Sequence, residues 1–295
     1  MKGFIVEAIE PVTLGRQSRL VDMYVLSPFI WRTGDSYELL VRAVPRRDDE
    51  PRLKMAEIWY GTSSNGLHFE MDEAPVLFPG PGLEDLDGCE DPTVIVSEGR
   101  VHCWYTGWNQ AQRTGRLMYA AGPDARSLNK QRRVLDSRPP YANPKEATVA
   151  PAADGSWRLL FEYAEDEHSK IGAAAAPDLH GPWEVIGPLL AARPDHWDNW
   201  HLSTGPVIGA GSKQPVMFYN GATHDAHWRI GWAALDAGLG QVVARCDGPL
   251  IAPEALASGA TDIAFAASAI EDEDHIWLYY SLSDKDLFRA RLRRL

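Results

Sequence analysis

The sequence predicts an all-β fold, a five-bladed β-propeller, and three observations carry that prediction. Five β-type runs close on an aromatic-rich or small-residue tail and recur about every 60 residues, a period that fits one propeller blade per unit. Most of the runs follow a turn signal rich in Gly and Asp. Helix signals are nearly absent: the three-to-four spacing of apolar residues is never sustained, whereas short alternating runs are everywhere.

In order, the runs are Tyr37–Arg42 after Gly34-Asp35, Val101–Gly107 after Glu98-Gly99, and Trp157–Tyr163 after Asp154-Gly155. Val216–Gly221 and Ile276–Ser281, the latter after Asp272-Glu-Asp274, complete the set. We read them as the inner strands of successive blades, converging on one central pocket. A second recurring piece follows, at Ile58–Phe69, Leu117–Leu128 and Ile171–Trp183, with Asn65-Gly66 or Pro-Asp as its turn. These read as outer strands. Ala191–Trp200, containing Pro194-Asp-His-Trp-Asp-Asn-Trp200, fits neither pattern and reads as an aromatic loop on the functional face. Leu287–Leu292 reads as a last strand that closes the ring against the N-terminal segment. Five units occupy residues 1–295 as one propeller domain.

Composition narrows the function. Hydrophobic (45%) and charged (24%) fractions are those of an ordinary globular protein, and a net charge of −12 argues against nucleic acid and anionic membranes as partners. Three widely spaced cysteines, Cys89, Cys103 and Cys246, point to neither a disulfide framework nor a zinc site. No signal peptide or membrane-spanning run is evident, so a cytoplasmic location is expected. No cofactor or metal is expected, and oligomeric state is left open. The 11 Trp and 10 Tyr would serve a pocket for flat sugar rings as well as a core.

The sharpest local signal is Gly88-Cys-Glu-Asp-Pro-Thr-Val-Ile-Val96, followed by Trp104-Tyr-Thr-Gly107. The proline is expected to hold Asp91 extended at the mouth of an inner strand. Desolvation by the aromatics and the nearby Glu90 would favour its protonated form, which a general acid needs. The plain alternative is a solvated turn.

Here the chain resembles glycoside hydrolase family 130, five-bladed propeller enzymes acting on β-mannosides. Ser27-Pro-Phe-Ile30 with Leu39–Ala43 is similar to the family's Asn-Pro…Arg element, and Gly88-Cys-Glu-Asp-Pro92 to its Gly-x-Glu-Asp-Pro-Arg motif. Lys145-Glu-Ala147 with Leu159–Tyr163 resembles a Lys-Asp-Ala block leading into a His-Arg-Pro strand. Phe218-Tyr-Asn-Gly221 resembles Tyr-His-Gly, Gly231–Asp236 an alanine-leucine-aspartate strand, and Leu278–Asp284 the Tyr-Tyr-Gly-Ala-Ala-Asp end. The resemblance implies that Asp91 is the proton donor. Arg42, Glu90, Tyr105, Lys145, Tyr163, Asn220, Asp225 and Asp284 are then expected to contact a short oligosaccharide.

The departures matter as much. The phosphorylases of the family hold phosphate with Arg and His, yet those positions here carry Glu162, Asn220 and Thr93. Loss of the cations disfavours a phosphate dianion as attacking group and leaves water, which needs a base. Glu162 is the candidate base, expected on the third blade's inner strand across the pocket from Asp91, or else paired with Arg42 or Lys145. Three readings stand: an inverting glycosidase, a phosphorylase with a rearranged phosphate site, and a non-catalytic glycan-binding propeller. His224-x-x-His227 lacks convincing metal spacing.

Overall fold

Two-residue turns with left-handed backbone set the antiparallel order. At Glu98-Gly99 both residues have positive φ (52° and 71°), the geometry of a type I′ hairpin, and Ser97 pairs with Arg100 across it. Asn65 works differently: its side-chain oxygen accepts from the backbone N–H of Leu67 and His68 and closes the turn by itself.

The computed structural model describes residues 3–15, 18–46, 55–253 and 262–295. The first strand, β1 (Phe4–Gly15), belongs to the last blade. Blade 1 comprises β2 (Met23–Thr33), β3 (Ser36–Pro45), β4 (Glu57–Ser63) and β5 (His68–Met71). Blade 2 comprises β6 (Gly88–Ser97), β7 (Arg100–Asn109), β8 (Thr114–Gly122) and β9 (Asn129–Arg133). Blade 3 comprises β10 (Ala142–Pro151), β11 (Trp157–Glu165), β12 (His168–Ala176) and β13 (Glu184–Leu190). In blade 4 the inner strand is split into β14 (Leu202–Ser203) and β15 (Val207–Ile208), followed by β16 (Val216–Ala222), β17 (Trp228–Leu235) and β18 (Val242–Arg245). Blade 5 comprises β19 (Ala264–Glu271), β20 (Ile276–Leu282) and β21 (Asp286–Arg294), with β1 as its outermost strand. The ring is thereby closed by joining the two ends of the chain. β1 also pairs in parallel with β5 through Thr13–Gly15, which ties blade 5 to blade 1 at the outer edge.

No blade buries its own faces. Among the described residues the apolar side chains gather into five cores, each straddling two neighbours: blades 4 and 5, 5 and 1, 1 and 2, 2 and 3, and 3 and 4. Trp59, Trp104, Tyr219 and Tyr279 are among the fully buried rings. Truncating one such aromatic to Ala would cost about 3–5 kcal/mol.

The five aromatic runs fall on β3, β7, β11, β16 and β20, the second strand of each blade, and not on the inner strands as expected from sequence. The reason is packing. The second strand is covered on both faces by adjacent blades, so it is the most continuously apolar; β16 is buried along its whole length. Inner strands border the channel and carry polar residues and irregular pairing, which weakens their alternation. The closing strand at Leu287–Leu292 behaves as expected, and the three cysteines are buried and free.

Candidate active site

The inner strands of the first three blades break register at matching places. Pairing skips between Leu26 and Phe29 in β2, between Glu90 and Thr93 in β6, and between Lys145 and Ala147 in β10. At each skip one residue adopts positive φ: Ser27 (51°), Asp91 (48°) and Glu146 (43°). A bulge of this kind re-aims a side chain, and left-handed backbone outside glycine stores strain that clusters at functional sites. Asp91 is therefore not held extended by Pro92: the ladder passes over Asp91 and Pro92 opposite Tyr105 alone, and Asp91 takes the left-handed bend. Ser27, Asp91 and Glu146 all face a central cavity of about 440 Å³, whose wall also includes Tyr24, Arg42, Trp228, Phe265 and Asp284.

A belt of clamps from each blade to the next holds this ring. Thr93 Oγ1 donates to Ala147 O (2.5 Å), and Thr148 Oγ1 donates to Gly205 O (2.8 Å). Asn220 Nδ2 donates to Ala266 O (3.1 Å) while its Oδ1 accepts from Ala266 N (2.7 Å). Ser268 Oγ donates to Pro28 O (2.9 Å), and Ser27 Oγ donates to Asp91 Oδ1 (2.5 Å), completing the circuit.

Charge is distributed unevenly around the cavity. Arg42 reaches Glu90 Oε1 at 2.8 Å and Asp91 Oδ2 at 3.2 Å. Burial works against its charge, but Glu90 and Asp91 prevail and hold the guanidinium ionised beyond its ordinary range. Lys145 Nζ lies 3.1 Å from both Glu146 Oε1 and Glu162 Oε1, and these two likewise outweigh its burial. Two cations thus serve four carboxylates. The consequence appears at Glu146, which is pushed up to about 8, first by burial and then by Glu162; Asp91 adds to the rise and Lys145 opposes it. Ser203 Oγ donates to its other oxygen. Glu146 therefore keeps a proton at neutral pH while Arg42 and Ser27 both bond to Asp91. Such a pair of differently placed carboxyls is what acid–base catalysis uses.

Of the residues singled out from sequence, Arg42, Asp91 and Asp284 line the cavity, and Glu90 and Lys145 stand behind it as ion-pair partners. Glu162 lies on β11, a second strand, with a side chain only 6% exposed against Lys145, rather than on the inner strand across from Asp91. Tyr105 and Tyr163 belong to inter-blade cores, because alternation on the second strand turns both rings inward; the Tyr105 hydroxyl donates to Asp85 (2.8 Å). Asn220 is fully buried in the belt, and Asp225 is exposed in the turn after β16. Among the described residues no group of three or more His, Cys, Asp and Glu is arranged to hold a metal ion.

Glu146 is the residue that sequence reasoning passed over. Its signal was an internal repeat: Glu90-Asp91-Pro92-Thr93-Val94 in blade 2 matches Lys145-Glu146-Ala147-Thr148-Val149 in blade 3. In both, the acid occupies the bulge and the threonine supplies the clamp to the next blade.

Known proteins share this fold. A 1,2-β-oligomannan phosphorylase of Thermoanaerobacter sp. (strain X514) is 24% identical over 258 residues, covering 84% of this chain and 82% of that protein. The solved structure of a β-1,2-mannobiose phosphorylase from Listeria innocua, in complex with β-1,2-mannobiose, has the same fold. It superposes with a TM-score of 0.78 at 19% identity, over 97% of this chain and 91% of that one. Another, from work describing GH130 glycoside hydrolases that target β-1,2-mannosidic linkages in Candida mannan, gives a TM-score of 0.75 at 21% identity, over 91% and 84%. The sequence model described as β-1,4-mannooligosaccharide phosphorylase matches residues 44–288, from the end of β3 to the start of β21. That span takes in the acidic bulges of β6 and β10 and most of the ring, and the chain belongs to glycoside hydrolase family 130.

Proposed function

We propose that the protein is an inverting glycoside hydrolase acting on β-mannosides or related short β-glycosides, with water as the attacking group. The observation that carries this reading is the charge count. Arg42 and Lys145 are each within 3.2 Å of two carboxylates, and Arg42 is the one cation among the described residues lining the cavity. Phosphate recognition relies on guanidinium groups free to bind two oxygens at once. A dianion entering here would meet carboxylates whose cations are already engaged. Thr93 and Asn220, at two positions where the phosphorylases carry Arg and His, are used as belt clamps.

In this reading Asp91, at the Gly-x-Glu-Asp-Pro position, gives its proton to the glycosidic oxygen as the bond to the anomeric carbon breaks. Glu146, rather than Glu162, acts as the base once it has given up its own proton to solvent: in its ionised form it takes a proton from the water that attacks that carbon from the opposite face. The product carries the inverted configuration, and proton exchange with solvent resets both carboxyls. Arg42, which reaches both Glu90 and Asp91, fixes the position of the Asp91 carboxyl in the cavity wall.

The names of the relatives favour a second reading, phosphorolysis of the same linkage. Product analysis separates the two. Release of free mannose in phosphate-free buffer, unchanged when phosphate is added, is expected; mannose 1-phosphate formed only with phosphate would overturn hydrolysis. Binding of the glycan with no product in either buffer would make the propeller a sugar-binding module. The roles are tested by leaving group: Asp91→Asn should spare an aryl β-mannoside with an acidic phenol more than a mannobiose, because that departure needs no proton. Glu146→Gln should impair both alike, and the reverse pattern would exchange the two roles.

A further inference from the structure

Beside the cavity runs an aromatic ladder that lies outside the inter-blade cores. Trp228 forms part of the cavity wall. Its ring stacks on His201, with centroids 6.3 Å apart and planes 9° apart, and leans on Phe265 at 5.5 Å. His201 lies 3.8 Å from Trp200, which stacks in turn on His224 (5.8 Å, 25°). None of Trp200, His201, Trp228 and His224 belongs to the five inter-blade cores. The first three are half-buried and His224 is exposed, so the ladder leads outward from the cavity.

Backbone bonds fix the segment that carries Trp200 and His201. Trp200 N donates to Ala222 O (3.0 Å) and Ala222 N donates to His201 O (2.8 Å), which pins the end of the loop before β14 onto β16. Ser169 N donates to His201 Nδ1 (2.9 Å), so the ring proton sits on Nε2 as a donor. Burial, helped by His168 and Lys145, pushes His201 down to about 4 and keeps it neutral at physiological pH. A partly wet row of flat rings with a neutral donor suits a pyranose: its C–H face lies on an aromatic plane and its hydroxyls point to polar partners.

We propose that Trp228, His201 and Trp200 form a platform for the part of an oligosaccharide that leaves the cavity, so that chains of three or more sugars bind better than shorter ones. The proposal rests on reading the cavity as a glycoside-cleaving site, although the platform itself requires only sugar binding. To prevent turnover, β-1,4- and β-1,2-linked mannotriose and mannose are titrated by calorimetry into the Asp91→Asn protein, with and without Trp200→Ala. We expect the better-bound triose to lose about tenfold in affinity on truncation of Trp200, mannose to be unaffected, and Trp200→Phe to retain most of the binding. Equal triose affinity with and without Trp200, or triose binding no tighter than mannose, would overturn the platform. If melting shows that Trp200→Ala does not fold, Trp200→Leu, which keeps apolar bulk but has no flat ring, serves instead: about a threefold loss of triose affinity supports the platform, and unchanged affinity rejects it. Absence of turnover by the unsubstituted protein, with the Trp200 effect on binding intact, would sink the hydrolase reading and leave the platform standing.

Discussion

Two carboxylates in this molecule, one fully buried and one half-buried at the cavity wall, have opposite surroundings. Asp198 is fully buried between Arg193, whose Nε and Nη2 donate to its two oxygens at 3.1 Å, and Arg245, and it also accepts from the Tyr219 hydroxyl at 2.6 Å. Glu146 has one ammonium, shared with Glu162, and a serine hydroxyl. One anion with two cations forms a closed structural unit. Two anions with one cation raise the pH at which a proton is given up, and a carboxyl beside a cavity that exchanges its proton not far above neutral pH suits acid–base chemistry. Burial alone does not separate the two cases; the ratio of charges does. Asp198 anchors the loop that carries Trp200 and His201, and the Asp198 and Trp197 side chains fill the room that Gly221 and Gly231 leave by having no Cβ.

The largest effects should separate the clusters by what they damage. Asp91→Asn and Glu146→Gln are each expected to lower turnover of a mannooligosaccharide by about a hundredfold to ten-thousandfold while the protein stays folded. A near-normal rate in either would remove that residue from the reaction. Asp198→Ala is expected to destabilise the fold by about 3–5 kcal/mol, because it leaves two guanidinium groups facing each other unpaired. A loss in denaturant unfolding of less than about 1 kcal/mol would break the comparison at its structural end.

Glu162→Gln sharpens the comparison instead of breaking it. Removing one of the two anions at Lys145 should let the ammonium act wholly on Glu146, so the pH at which Glu146 ionises falls. With Glu146 as base, kcat/KM of the unsubstituted protein rises as pH increases through about 8, and in Glu162→Gln that rise should move to lower pH. A loss of at least about a hundredfold at every pH would put the base at Glu162 itself.

How far the sequence could be read follows the same physics. The blade repeat was legible because second strands, buried on both faces, keep an unbroken apolar pattern, as in Val216–Ala222. That strength misled the assignment of inner strands, since a strand beside a polar channel loses the alternation by which strands are recognised. Asp91 was legible through Pro92 and its neighbours, but its backbone was not, because a bulge depends on register with β7. Glu146 was hidden for a related reason: only the closed ring brings a charged residue next to Lys145 into one cavity with Asp91. Tyr105 and Tyr163 show the converse error, aromatics assigned to sugar that the inter-blade cores required.

The smallest expected effect concerns stability, and its sign follows from the charge ratio. Glu146 ionises at about 8 in the folded protein against an ordinary 4.5, so the folded state binds its proton more tightly than the unfolded chain does. The stability gained from that proton is fully present below about 4.5 and is lost as pH rises through about 8. Glu146→Gln removes this dependence while keeping the shape of the side chain. The melting temperature of the unsubstituted protein relative to Glu146→Gln should therefore fall from pH 5 to about pH 8 and level off above it. A difference that stays flat over that range would mean that Glu146 carries no extra proton in the folded state. The contrast between a closed ion cluster and an open one would then lose its basis.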